Sequence, residues 1–571
     1  MRSTEYMKRL LSIALVAVIS TSVLAVPAER IRRQVRLSDG TRIVVTLCGD
    51  EHYSWLQTDD GFIVEPVADA DCYTLTSLRA ADVVPAAIEA EMAKHAPRRI
   101  GSQATAPLPS KGSPKIPVVL VQFADSVFHV AETADAVRQY YDLYCNGTRD
   151  GNLYQAHGSY GSIRDYFVDQ SNGQFTPEFI IIGPVTLDNP ESYYGNNKGR
   201  RDSGYDEFST EAIRKATEIY AGDWMDFDNR NKGQVDMVFF IFAGCGENTG
   251  GGDGTLWPKE TTNGENINGI RFATTACCSE MRARLNGDGE VTSTRPDGIG
   301  VMCHELSHAL GLPDFYNTNY ASFGMDLWSI MDYGCYGSNG YVPCAYTAYE
   351  REFMGWQQME TLTEPQWLSI QPIAAGGKGY KIVNAENENE YYVIENRQAV
   401  GWDRSICTMG HGLQVTHVDY SASLWSSNHV NNDVKHQRMT IIAANNKYKG
   451  TYDSNATPDE LRDTWSGNLY PYEQNDSLTA LSTPAATVFT AAGYMAENQK
   501  LLYIRENEDL TVSLNFGGTD DPDAVDAPLY IIGKDAQDQG SCFDLQGRRV
   551  ARMGTRGLYI VNGQKYLMPN N

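Results

Sequence analysis

The chain has 571 residues, and 47 basic against 72 acidic side chains leave a formal charge of −25. That length implies about three to five domains, and an apolar share of 42% with 11% aromatics excludes wholesale disorder and collagen-like repetition. So acidic a chain repels nucleic acid and anionic membrane surfaces, which excludes both as partners.

At the N-terminus, Lys8 and Arg9 precede an apolar run over 10–19, and Val23-Leu24-Ala25 offers a small-residue cleavage site. Together they read as a signal peptide within 1–28. No later stretch reaches 18 consecutive apolar residues, so no transmembrane segment is expected. The mature chain is then expected outside the cell, secreted or held at its surface. Eleven cysteines without a CxxC pair are too sparse for a disulfide scaffold.

Residues 29–112 read as a small mixed unit and a linker. Segments 34–37 and 41–47 form a hairpin pattern through Ser38-Asp39-Gly40. A strand follows at 72–75, and the Ala/Glu-rich stretch 85–96 is helical with Pro85 in its first turn. From Pro97 to Lys115 the composition is that of a linker, and Arg98-Arg99 is a natural nick site. Cys48 suits either a buried strand position or a thiolate that reaches a metal.

Residues 113–360 interleave apolar strands at 116–123, 179–182 and 235–242 with a helix start at 160–168, the pattern of an α+β domain with a mixed sheet. Over 361–520 the texture changes to short alternating strands, among them 391–394, 412–418 and 439–443, and reads as all-β. An acidic, proline-containing stretch at 517–528 opens the final unit, 521–571, with a hairpin-like tail at 557–563.

The chemistry concentrates in DGIGVMCHELSHALGLPD, residues 297–314. Asp297 suits a helix cap, and Gly311 with Pro313 ends the helix. Ile299, Met302, Cys303, Leu306 and Leu310 share one face, with His304, Glu305 and His308 opposite. Two histidines four apart stack on one helix face within reach of a single ion. Zinc takes two such imidazoles and a third ligand and keeps one position for water. Glu305 is placed to take a proton from that water. Gly311 permits a turn that returns Asp314 as the third ligand. About twenty residues on, Met331 in WSIMDYG suits an apolar floor under the ligands, a Met-turn. Tyr333 suits either a hydrogen bond to the oxyanion of the reaction or turn packing.

HELSHALGLPDFY at 304–316 is similar to the HExxHxxGxxD motif of the immune inhibitor A family of secreted zinc metallopeptidases. The resemblance extends to IPVVLVQFAD (116–125), GSIRDYFVDQSNGQF (161–175), VDMVFFIFAG (235–244), LWP (256–258), WSIMDYG (328–334) and GHGLQVTHVDY (410–420). It implies a zincin-like catalytic domain over 113–360 and a zymogen whose propeptide lies in 29–112. It further implies zinc on His304, His308 and Asp314, with Glu305 as catalytic base. Related zinc peptidases use His or Glu as third ligand, so Glu350 and Glu352 compete with Asp314. The tail FDLQGRRVARMGTRGLYIVNGQKYLM resembles the C-terminal sorting domains of type IX secretion, which implies outer-membrane secretion machinery as a partner.

The expected function is a secreted zinc-dependent endopeptidase acting on protein or peptide substrates, made as a zymogen. Two alternatives come from other classes: a β-rich surface adhesin that keeps a zincin scaffold, and a zinc hydrolase of a non-peptide substrate. A second metal, calcium, is considered at Asp226, Asp228, Gly233 and Asp236, although Arg230 and Lys232 stand where an EF-hand has oxygen ligands.

Overall fold

The computed structural model describes residues 23–24, 26–67, 70, 72–92, 101–147, 156–197, 202–286, 291–453 and 455–518, together with five strands in the tail. The apolar leader at 10–19, Arg98-Arg99 and the acidic stretch from 519 lie outside the described residues, as do the stretches between the tail strands.

The chain enters at β1 (Val23–Leu24) and then builds an antiparallel sheet of β2 (Arg32–Arg36), β3 (Arg42–Gly49), β4 (Ser54–Gln57), β5 (Phe62–Pro66) and β6 (Tyr73–Arg79), in that order. The expected hairpin is present, with Arg36 opposite Arg42. Helix α1 (Ala80–Met92) begins five residues before Pro85, so the proline is interior and not in the first turn. Val84 and Ile88 of α1 pack with Cys48, Trp55 and Ile63 in a small core of their own. Cys48 is thus a core residue of this unit.

Segment 101–112 is no free linker. Gly101 N donates to Gly311 O at 2.8 Å and Leu108 N to Ala309 O at 3.0 Å. Trp356 Nε1 donates to Ser110 O at 2.6 Å, and Leu108 is buried. Its polar composition reads as a tether, but its backbone groups are satisfied by the neighbouring domain, which makes it a strap.

The central sheet holds β7 (Lys115–Gln122), β8 (Glu178–Thr186), β9 (Val238–Cys245), β10 (Lys259–Ile267), β11 (Ile270–Leu285) and β12 (Val291–Pro296). β8, β7, β9 and β11 run parallel, while β10 and β12 pair antiparallel with β11. Alternation along β7 feeds two apolar layers, Val118 and Leu120 on one face, Val119 and Val121 on the other. The first layer holds α2 (Ala134–Asn146), α3 (Ile163–Gln170) and the HExxH helix α4 (Gly300–Ala309); the second holds the helix Tyr205–Ile219. β1 adds to the outer edge of β10, Val23 opposite Thr261 and Leu24 opposite Glu260.

Beyond 360, β13 (Glu360–Thr361), β15 (Tyr380–Asn384), β16 (Asn387–Arg397), β17 (Gly412–Asp419) and β18 (Met439–Ile441) form one sheet. β14 (Gln366–Ile370), β20 (Val512–Phe516) and β19 (Leu501–Glu506) form a second. Short helices at Ala422–Ser426 and Pro458–Trp465 interrupt them, so the region is β-rich and not purely β. Val393, Val418, Trp425 and Met439 belong to the same apolar cluster as Met302 and Leu306, so one core crosses residue 360. In the tail, Gly557–Val561 and Gln564–Met568 pair antiparallel, with Val561 opposite Gln564.

Candidate metal centre

Helix α4 approaches the segment after Met331 closely, because Gly300 has no side chain: a Cβ there would stand 1.8 Å from Cys335 O. Its first residues are not capped by Asp297, whose Oδ1 accepts from Gly298 N at 2.8 Å and Arg282 Nη1 at 3.3 Å. Every residue of α4 is buried, including the face with His304, Glu305 and His308. The sequence pattern anticipates one apolar face, but the polar face is buried too, with Val26 N on Glu305 and Glu51 nearby.

His304 Nε2 and His308 Nε2 lie 3.1 Å apart, and Asp314 Oδ1 lies 3.3 Å from each. Gly311, at φ +104°, makes the turn that returns Asp314 to the helix. Each histidine is held through its other nitrogen: His304 Nδ1 donates to Ile330 O at 2.7 Å and His308 Nδ1 to Leu312 O at 2.8 Å. Both Nε2 lone pairs therefore face the same point. Burial keeps His308 below its usual range, favouring the neutral, ligating form. Burial raises Asp314, but His308 and His304 outweigh it and hold the carboxylate ionised.

Asp314 Oδ1 is buried and accepts no hydrogen bond, while two imidazole lone pairs converge on it. An unsatisfied carboxylate oxygen and two facing nitrogens are costly unless a cation joins them, so the residues fit a metal ion. Among the described residues, these three form the one such group of His, Cys, Asp or Glu. The competing carboxylates are engaged elsewhere: Glu350 accepts from Ser329 Oγ at 2.5 Å and Thr347 N at 2.6 Å, and Glu352 pairs with Lys381 at 2.6 Å.

The other Asp314 oxygen is held from afar. Asn428 Nδ2 donates to Asp314 Oδ2 at 2.7 Å, and Asn428 Oδ1 accepts from Asp314 N at 2.8 Å. Nothing in the sequence marks Asn428, because its partner is 114 residues away.

Glu305 Oε1 accepts from Val26 N at 3.1 Å, and its Oε2 is buried with no hydrogen-bond partner. Burial, with Glu51 and Asp314 nearby, pushes its carboxyl well above the usual range. Tyr333 is half-buried, 5.0 Å from the ring of Tyr336, beside an opening lined by Glu29, Arg30 and Arg282. Burial pushes its phenol up to about 12. Met331 is fully buried in the same cluster as Met302 and Leu306.

The acidic loop considered for calcium closes on itself. Asp228 accepts from Lys232 N and Gly233 N, both at 2.7 Å, Asp236 accepts from Arg230 N at 3.0 Å, and Asp226 meets Lys115 Nζ at 3.3 Å.

Residues 103–360 match the model of the immune inhibitor A peptidase M6 catalytic domain. Immune inhibitor A of Bacillus thuringiensis subsp. alesti is 24% identical over 271 residues, 42% of this chain and 39% of the relative. The pre-pro-metalloprotease PrtV of Vibrio cholerae serotype O1 is 24% identical over 282 residues, 43% of this chain and 30% of the relative. The match thus spans between 30% and 39% of the length of these curated relatives. No described helix is long and apolar enough to cross a membrane. The matched residues contain the whole HExxHxxGxxD constellation, and over them the chain is similar to the catalytic domain of the immune inhibitor A metallopeptidases.

Proposed function

We propose that this chain is a zinc-dependent endopeptidase, exported and made as a zymogen. The observation that carries the reading is the Glu305 carboxylate beside the His304–His308–Asp314 group, engaging a main-chain N–H of an extended peptide segment at 3.1 Å. Two imidazoles and one carboxylate are a donor set suited to zinc. When bound, zinc supplies Lewis acidity, making water nucleophilic near neutral pH and polarising a carbonyl.

The residues of the chain do the rest. Glu305 takes the proton that the water gives up and delivers it to the nitrogen of the leaving amine. The Val26 nitrogen occupies the place where such an amine would stand. Tyr333, whose ring lies beside Tyr336 at the opening lined by Glu29, Arg30 and Arg282, is left to packing in the turn after Met331. Asn428, Ile330 O and Leu312 O hold the ligands in orientation. The 29–112 unit brings Glu51 close to Glu305, which supports a latent form that needs the departure of that unit. The signal sequence within 1–28 supports export, and the tail supports passage through outer-membrane secretion machinery.

The test is casein hydrolysis by the full chain after limited trypsin treatment, for the wild type and Glu305→Ala, with chelator and zinc rescue. We expect a loss of at least about 100-fold in the variant, and wild-type activity that vanishes with chelator and returns with zinc. A chain that holds one zinc and cleaves neither casein nor peptides defeats the reading.

A further inference from the structure

The N-terminal segment reaches Glu305 along a defined main-chain track. Val23 and Leu24 pair antiparallel with Thr261 and Glu260 on the free edge of β10. Val26 N then donates to Glu305, and Val26 O accepts from Trp257 Nε1 at 3.0 Å. Pro27 O accepts from the Tyr336 hydroxyl at 2.6 Å, and Glu29 N donates to Asn248 O at 3.0 Å. The hydrogen bonds at Val26 and Pro27 and that of Glu29 N are all to backbone, so they do not depend on which residues occupy the track, while the Glu29 carboxylate also pairs with Arg282.

Both side-chain donors are built to stay in place. Asn248 Nδ2 donates to the Tyr336 oxygen at 3.1 Å, which leaves the phenolic proton to point at the peptide carbonyl. Trp257 is buried; its N donates to Asp202 Oδ2 at 2.9 Å, and Asp202 also pairs with Lys259 Nζ at 2.6 Å. Rigid buried donors aimed at a carbonyl cost little to organise when a peptide arrives.

We propose that Trp257 and Tyr336 are substrate-positioning residues, which bind the first and second carbonyls on the leaving-group side of the scissile bond in an extended peptide. The inference rests on the peptidase reading above. The residues before the scissile bond add as a strand to Glu260–Thr261, and the amide of the fourth residue after it meets Asn248 O. The track bonds no N–H at the Pro27 position, so proline is accepted as the second residue after the bond. Val26 itself is fully buried within the apolar cluster of α4, which points to an apolar first residue there.

The experiment compares two peptides on the trypsin-activated full chain. One ends in an amide directly after the first leaving-side residue; the other continues for three more residues. Tyr336 serves a carbonyl that only the longer peptide has, whereas Trp257 serves one that both have. Tyr336→Phe should lower kcat/KM for the longer peptide about fivefold and leave the shorter unchanged. Trp257→Phe should lower both by a similar factor and leave their ratio unchanged. Binding of labelled acetyl-Val-Pro-Ala-Glu-Arg-amide to zinc-loaded Glu305→Gln, with and without Tyr336→Phe, gives a readout independent of turnover, with about fivefold weaker binding expected. If Tyr336→Phe cleaves both peptides with the wild-type ratio, or binds the labelled peptide unchanged, the inference is overturned. A zinc-loaded wild type that cleaves neither peptide overturns the peptidase reading, and the inference with it.

Discussion

Asn428 grips Asp314 at both ends, taking its backbone N–H and giving a hydrogen bond to its Oδ2. That leaves Oδ1 as the atom turned toward His304 and His308. A carboxylate so held is oriented before any metal arrives. Asn428→Ala should therefore weaken zinc binding about 10–100-fold without unfolding the chain. Competition with a chelator of known affinity, alongside a thermal melt, measures both.

The same geometry separates Asp314 from its rivals as third ligand. Asp314→Ala should abolish stoichiometric zinc and activity together, while Glu350→Gln should keep its zinc, because Glu350 is occupied by Ser329 and Thr347. Atomic absorption on purified variants decides this. One zinc retained in Asp314→Ala would remove it from the ligand set.

Gly300 sets how closely α4 lies on the segment that follows Met331. Gly300→Ala places a methyl group 1.8 Å from Cys335 O, a backbone atom that cannot swing aside. The chain should lose on the order of 2–3 kcal/mol of stability, seen as a lower Tm. The helix should also shift relative to Ile330, with weaker zinc binding as a second consequence.

Glu191 gives the stability a pH dependence. Burial, partly offset by a hydrogen bond from Leu256 N, with Asp125 and Asp202 nearby, raises its carboxyl to about 8 from 4.5. A carboxyl raised on folding favours the folded state most when protonated, so this stability is present below about pH 4.5 and is lost as the pH rises toward 8. Glu191→Gln removes that dependence. The Tm of the variant should pull ahead of the wild type progressively between pH 5 and pH 8, in melts taken across that range.

Much of the metal centre is legible locally. His304 and His308 share a face because 3.6 residues make a turn, and Gly311 permits the turn that brings back Asp314. The strands at 116–123 and 235–242 are readable for a similar reason, since a buried parallel strand is a nearly continuous apolar run. The motif also names Glu305 by its place beside a ligand. In the β-rich region the alternating segments near 391, 412 and 439 are likewise visible as strands.

What lies opposite these elements is decided by tertiary structure alone. Asn428 on Asp314, Trp257 on Val26, Tyr336 on Pro27, and β1 on the edge of β10 join residues far apart in the chain. Most of these bonds end on a backbone N–H or C=O, which every residue carries, so they leave no signature in residue type. Composition likewise reads 101–112 as a tether, because polar residues whose backbone is satisfied by a neighbouring domain look the same as polar residues in water. The sequence by itself determined the chemistry of the centre, since that follows from side-chain identity and helical spacing. Only the tertiary structure decided what orients that centre and which groups meet residues 23–29 beside it, because those depend on long-range backbone pairing.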